Sequence, residues 1–140
     1  MMALSLPQEI NTLIQQLNAS QFALVANRAR QLSAKFPREF VLHHLLALAL
    51  DQNQQYAEAK LAYAQALKLQ PDQVELWFNY AIVLTQLDQP AEAEQAYRKA
   101  IALNPSFFEA HGNLGTLLQK QGRLDEAMSC YQTGLRIQPQ

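Results

Sequence analysis

Apolar side chains between residues 74 and 105 recur at the spacing of an α-helix. A first set falls at positions i, i+3, i+4 and i+7: Trp77, Tyr80, Ala81 and Leu84. After a break at residues 87–90, a second stripe follows: Ala93, Tyr97 and Ala100. Pro105 then ends the pattern, because proline does not continue a helix. The stretch therefore predicts two short amphipathic helices joined by a tight turn.

The same residue types return every 34 positions. The repeated prolines are Pro37, Pro71, Pro105 and Pro139. Further columns at this spacing are Tyr63, Tyr97 and Tyr131, then Ala59, Ala93 and Ala127, then Leu50, Leu84 and Leu118. A period shared by aromatic residues, small residues and prolines predicts a repeat protein built from helical hairpins.

This pattern resembles the tetratricopeptide repeat (TPR), in which W-x₂-L-G-x₂-Y is followed by A-x₃-F and P. The fourth copy carries it at Leu114, Gly115, Leu118, Ala127, Tyr131 and Pro139. The resemblance implies an all-α fold, a right-handed TPR solenoid of helical hairpins. We expect a single TPR domain over residues 1–140, with a degenerate first repeat at 6–37 and regular repeats at 38–71, 72–105 and 106–139.

The first repeat departs from the others. Its opening helix, residues 6–18, matches the second repeat best at an offset of 33, with Ile10 over His43. Its second helix, residues 21–35, matches at 34, and Ala29 stands where the other copies carry tyrosine. We therefore expect a first turn that is one residue shorter than the others. An unrelated N-terminal hairpin is the alternative.

Local signals mark the helix ends. Asp72 with Glu75, and Ser106 with Glu109, have the spacing of a capping box, which predicts that Asp72 and Ser106 cap the helices that follow. Gly122 falls in the last hairpin turn and is expected to adopt the left-handed conformation of a helix end.

Composition narrows the functional classes. A net charge of −1 gives no electrostatic basis for binding nucleic acid, and no apolar run reaches the length of a membrane span. Residues 1–6 lack a basic segment and Pro7 follows early, so we expect no signal peptide. Cys130 has no second cysteine to pair with. These features favour a cytoplasmic protein without a cofactor.

Catalytic and metal-binding motifs are not found in the sequence. G-x-S-x-G, H-E-x-x-H and phosphate-binding glycine loops do not occur, so we expect no enzymatic activity. His43 and His111 fall in the packing stripe without Cys or acidic partners at ligand spacing, which favours a structural role over a metal site. His44 lies one step round the helix and is expected to face the inner surface.

In TPR proteins the first helices line a concave groove that binds peptides. The resemblance places the following residues in it: His44, Leu48, Asp51, Glu75, Phe78, Asn79, Ile82, Glu109, Asn113, Thr116 and Lys120. Thr85 and Gln119 fall on the same surface. Some TPR proteins clamp a C-terminal carboxylate with several Lys and Arg residues. The groove of this chain carries Lys120 against three acidic residues, so such a clamp is not expected.

Asn79 and Asn113 lie one repeat apart. The segment around Asn113, Asn-Leu-Gly, resembles the repeat arms of O-linked N-acetylglucosamine transferases and their bacterial relatives, where asparagine ladders hold the backbone of an extended polypeptide. Leu45 takes this place in the second repeat and, at the offset of 33, Thr12 takes it in the first.

We interpret the chain as a scaffold that binds a protein or an extended peptide in this groove. Two alternatives stay open. The first is the N-terminal, non-catalytic arm of a larger transferase of the glycosyltransferase or sulfotransferase type. The second is a self-assembly module, because the last helix should leave Tyr131, Leu135 and Ile137 without a following helix to cover them.

Overall fold

The computed structural model describes residues 2–139. Eight α-helices form this part of the chain: α1 (Leu6–Asn18), α2 (Phe22–Lys35), α3 (Phe40–Gln52), α4 (Tyr56–Leu69), α5 (Val74–Gln86), α6 (Pro90–Leu103), α7 (Phe108–Lys120) and α8 (Leu124–Ile137). They pair in sequence as helical hairpins. The predicted all-α fold of consecutive hairpins is confirmed.

Packing divides the chain into two compact units, one ending at Pro71 and the other beginning at Asp72. Each unit holds two hairpins, and within each unit every helix packs against the next one. The second helix of one hairpin thus contacts the first helix of the following hairpin, α2 against α3 and α6 against α7. The handedness of a solenoid and the single domain over all four repeats stay predictions.

The hairpins are held by small residues on first helices facing large residues on second helices. Gly115 of α7 shows the fit: a Cβ atom placed on it would lie 2.7 Å from the ring of Tyr131 on α8. Ala81 and Tyr97, one repeat earlier, are both buried. Such an interior tolerates little change in volume, so the two positions must be matched in size.

The first hairpin exchanges these sizes. Leu13 occupies the position of Gly115, and Ala29 occupies the position of Tyr131; both are buried. α1 and α2 approach each other less closely than the helices of the later hairpins do, and α1 also contacts α3. The degenerate first repeat therefore still forms a hairpin, with its large residue on the first helix and its small residue on the second.

The expected shorter first turn is wrong. α1 begins at Leu6 and α3 at Phe40, which is 34 residues later. Asn11 rather than Thr12 therefore shares the position of Asn79 and Asn113. The exchange of sizes explains the error. The small residue that marks the register in the other repeats is replaced by the large Leu13 in the first.

All hairpin turns use a residue with positive φ at one repeat position: Ser20 (61°), Gln54 (61°), Asp88 (56°) and Gly122 (76°). At the second turn, the N–H groups of Gln54 and Gln55 donate to the carbonyls of Asp51 (2.9 Å) and Leu50 (2.8 Å). This is the Schellman arrangement of a helix end. The prediction for Gly122 is confirmed, and three turns reach the same conformation without glycine.

The capping boxes predicted at Asp72 and Ser106 are wrong. α5 and α7 instead have Gln73 and Phe107 at the N-cap, without a side-chain capping hydrogen bond. Before α7, the Ser106 N–H donates to Oδ1 of Asn104 (3.1 Å), which closes the turn and delays the helix. A capping box does form at α1, between Ser5 and Gln8.

Candidate functional site

An open cavity of about 220 Å³ lies between α5 and α7 in the second unit. Its lining residues are Ile82, Thr85, Gln86, Tyr97, Asn113, Thr116, Leu117 and Lys120. Ile82, Asn113, Thr116 and Lys120 belong to the groove predicted from the sequence. The structure therefore brings part of that predicted site together around one cavity.

Tyr97 from α6 contributes a polar group to this cavity. Tyr97 is 3% exposed, and the side chains of Thr85 and Asn113 lie beside its hydroxyl. Burial raises the pKa of Tyr97, and these two neighbouring side chains oppose that rise. The neutral phenol thus lies where α5, α6 and α7 meet. Sequence analysis missed Tyr97 as a lining residue because it lies on a second helix.

In the second and fourth hairpins, the tyrosine of this column is hydrogen-bonded to a polar side chain at one repeat position. The Tyr63 hydroxyl donates to Oδ2 of Asp51 (2.8 Å), and the Tyr131 hydroxyl donates to Oε1 of Gln119 (2.9 Å). Asp51 and Gln119 stand at the repeat position of Thr85. Burial raises the pKa of the Asp51 carboxyl, and the bond from Tyr63 partly offsets this. The sequence shows both columns, the tyrosines and their polar partners, because each recurs every 34 residues.

The first unit lacks the corresponding polar group at its first hairpin. Ala29 stands at the position of Tyr97, Leu17 at that of Thr85, and Leu45 at that of Asn113. Ala29 and Leu45 are buried. Because all three members are apolar, no polar group loses its partner there. This explains why the asparagine column is interrupted at Leu45.

The remaining predicted groove residues lie outside the cavity lining. In the first unit, His44 packs on Phe40 with ring centroids 5.4 Å apart, and Leu48 is half-buried nearby on α3. In the second, Phe78 packs against Tyr97 (6.1 Å) and Phe107 (4.7 Å). Asn79 is half-buried, whereas Glu75 and Glu109 are exposed in the first turns of α5 and α7.

Two histidines join first helices to the loops before them. Nε2 of His43 lies 2.9 Å from the Pro37 carbonyl oxygen, and Nε2 of His111 lies 2.8 Å from that of Pro105. These contacts give both side chains a structural role. Across residues 2–139, no cluster of three or more His, Cys, Asp or Glu side chains is arranged to hold a metal ion. No helix in that range is long and apolar enough to cross a membrane.

Charged residues of α6, of α8 and of the turn before α8 pair with one another in the second unit. Arg123 lies 2.6 Å from Glu94 and 2.7 Å from Glu126, and Arg98 lies 2.9 Å from Glu94. The hydrogen bond from Arg123 holds the pKa of the Glu94 carboxyl below its usual value. These partly exposed pairs link α6 to α8 and to the turn before it, although each contributes little to stability.

Comparison with known proteins gives the family and the fold. Two tetratricopeptide-repeat models match residues 44–106 and 84–140. A crystal structure of MamA is 17% identical, with a TM-score of 0.86, covering 99% of this chain and 77% of that one. MamA 41-end from Desulfovibrio magneticus RS-1 is 15% identical, with a TM-score of 0.87, covering 93% and 73%.

A further similar structure is YrrB, a TPR protein with an unusual peptide-binding site. It is 22% identical, with a TM-score of 0.84, covering 93% of this chain and 67% of that one. At these identities the likeness shows the fold alone. No curated protein matches the sequence significantly.

Proposed function

Because the chain belongs to the tetratricopeptide repeat family, we propose that it binds an extended segment of another protein on its first helices and has no catalytic activity of its own. The cavity between α5 and α7 is the observation that carries this proposal. It combines the apolar side chains Ile82 and Leu117 with the polar side chains of Tyr97, Thr85 and Asn113, a mixture typical of binding sites. The peptide-binding site of YrrB, which shares the fold, supports it.

Asparagine supplies the backbone contact in this proposal. An amide side chain offers one acceptor and two donors, so Asn113, which lines the cavity beside Tyr97, has hydrogen-bonding capacity for a ligand. Asn79 stands one repeat earlier and presents the same group. Contacts to a peptide backbone select an extended chain rather than a particular sequence. The transferase-arm hypothesis adds a catalytic domain elsewhere and keeps the same binding surface.

The test replaces both asparagines by alanine and titrates a partner that has first been identified by pull-down. We expect affinity to fall by about 1–3 kcal/mol in total, because each hydrogen bond makes a modest net contribution. Gln95→Ala, which removes an exposed amide from α6, is the matched control. Thermal unfolding of each variant separates lost binding from lost fold. Unchanged affinity in a folded double variant would place the binding site elsewhere.

A second candidate, association with another copy of the chain, is favoured by α8. Leu124 (60%), Met128 (58%) and Leu135 (56%) are exposed on one side of this helix. Tyr131 is half-buried against Gly115, so it contributes less to this surface than expected. Sedimentation at increasing concentration should show association that Met128→Glu abolishes. A wild-type chain that stays monomeric at the highest concentration would rule this candidate out.

A further inference from the structure

We infer that the second unit selects peptide segments with an apolar side chain beside an acidic one, the carboxylate pairing with Lys120. The inference rests on the proposed function and specifies the chemistry of its ligand. It follows from the position and charge of Lys120, from the walls of the cavity and from the space beyond it.

Lys120 is the charged residue of the cavity between α5 and α7; its other lining residues are neutral. The side chain is exposed, and no ion pair between described residues involves it. Arg98 and Arg123 of the same unit are held by Glu94 and Glu126. The charge of Lys120 is therefore available to a ligand, whereas those of the two arginines are neutralised.

The walls and the polar group of the cavity favour an apolar occupant. Ile82 and Leu117 present aliphatic side chains. The Tyr97 hydroxyl lies beside the Thr85 and Asn113 side chains, which offer it hydrogen-bond partners, so an apolar occupant of the cavity need not supply one. The cavity then supplies hydrophobic contact, and Lys120 at its edge supplies the charge that distinguishes one neighbouring residue from another.

A second cavity of about 260 Å³ continues past Lys120. It shares Thr85, Leu117 and Lys120 with the first and adds Asp88, Pro90 and Gln121. A bound chain has room to run on beyond the lysine, which favours an acidic side chain within the segment over a terminal carboxylate. Asp88 opposes a second acidic residue in that further space.

Lys120 also lies in the last turn of α7, where a positive charge interacts favourably with the helix dipole. That role and ligand binding predict different results. A purely helix-stabilising lysine changes thermal stability when it is replaced and leaves the preference among peptides as it was. A ligand-binding lysine changes the preference itself.

The experiment selects a randomised peptide library displayed on phage against the full chain, Lys120→Gln and Lys99→Gln. Lys99 is exposed on α6 and serves as the matched loss of a positive charge. We expect Asp or Glu beside an aliphatic residue to be enriched on the wild type and on Lys99→Gln, but not on Lys120→Gln.

The strongest peptide and its Glu→Gln or Asp→Asn counterpart are then titrated. The acidic form should bind the wild type about three- to fivefold more tightly, as one exposed ion pair allows, and the difference should shrink with added salt. Equal binding of the two forms, or a preference that survives Lys120→Gln, overturns the inference and leaves the proposed function standing. If no peptide is enriched on any variant, the proposed function itself fails.

Discussion

The first hairpin and the third place opposite chemistry at the same repeat positions. The third brings together the polar side chains of Tyr97, Thr85 and Asn113, whereas the first has alanine and leucine at the matching places. Of these two hairpins, one has the whole polar set and the other has none of it. A partial set would bury a donor or acceptor without a partner, which costs more than removing the entire set.

A similar exchange governs packing. Gly115 faces Tyr131 in the fourth hairpin, whereas Leu13 and Ala29 take these positions in the first. The combined volume is kept although its location is reversed. We therefore expect that a hairpin needs a matched pair of sizes and not a particular residue at either position.

The largest effect is expected for Tyr97→Ala, which gives the third hairpin the alanine of the first without the other changes. Truncating a buried aromatic residue should lower the free energy of unfolding by about 3–5 kcal/mol. It also removes the hydroxyl that lies beside Thr85 and Asn113. Chemical denaturation measures the loss. Tyr131→Ala, at a half-buried tyrosine, should cost less, and equal midpoints for Tyr97→Ala and wild type would refute the assigned register.

Gly115→Ala comes next, because its Cβ would approach the Tyr131 ring to 2.7 Å. We expect a loss of about 1–3 kcal/mol from overpacking. Gly112→Ala is the matched control: its Cβ meets nothing within 4 Å, so alanine there should stabilise α7 by up to about 1 kcal/mol through helix propensity.

Gly115→Leu combined with Tyr131→Ala copies the first hairpin. This pair should recover much of the stability that Gly115→Leu loses alone, as a double-mutant cycle of unfolding free energies would show. Purely additive effects would mean that the exchanged sizes in the first hairpin are unrelated.

The sequence predicted the helical hairpins, and it predicted the bounds of the first two helices to within one residue. α1 was predicted at residues 6–18, as observed, and the second helix at 21–35 begins one residue later, at Phe22. A strong 34-residue period with helical stripes gives such bounds directly. The offset of the first repeat was wrong because the Leu13 and Ala29 exchange is a property of packing, which no local pattern records.

The candidate site was only partly predictable. Ile82, Asn113, Thr116 and Lys120 line the cavity, and they are residues that the TPR resemblance places on the surface of the first helices. Leu117 and Gln86 belong to neighbouring faces of the same helices, and Tyr97 reaches the cavity from α6. Single-helix patterns do not show which side chains reach a cavity between helices. The polar residues that recur at Asp51, Thr85 and Gln119 are the sequence signal that could have indicated a polar group beside the tyrosines.

The turns offer a smaller test. Gln54 in the first unit adopts φ 61°, whereas Gly122 in the last hairpin adopts 76° at the matching position. Left-handed backbone is strained for a residue with a Cβ atom. Gln54→Gly should therefore raise the free energy of unfolding by about 0.5–1 kcal/mol, the gain being limited by the greater freedom of glycine in the unfolded chain. Gly122→Ala should lower it by a similar amount. A destabilised Gln54→Gly would show that the turn is not strained.

The smallest effect is expected at Asp51, whose carboxylate accepts the hydrogen bond of Tyr63. In the third hairpin the neutral Thr85 occupies the same repeat position. Burial raises the pKa of Asp51 above its unfolded value. The protonated carboxyl of Asp51 therefore contributes to the free energy of unfolding fully below the unfolded pKa, and this contribution is lost as pH rises through the folded pKa. Asp51→Asn keeps an acceptor for Tyr63 without titrating, so its stability relative to wild type should increase as pH rises.

The change should stay within a few tenths of a kcal/mol, because Asp51 is only half-buried and solvent screens it. For Glu94→Gln, the stability relative to wild type should change in the opposite direction and decrease as pH rises. The pKa of Glu94 is lowered by its hydrogen bond from Arg123, so wild type gains from that carboxylate at neutral pH and loses the gain as pH falls through the folded pKa. Urea unfolding of wild type and both variants from pH 3 to pH 7 compares the slopes. Parallel pH profiles for wild type and Asp51→Asn would mean that the carboxylate is solvated as fully in the folded chain as in the unfolded one.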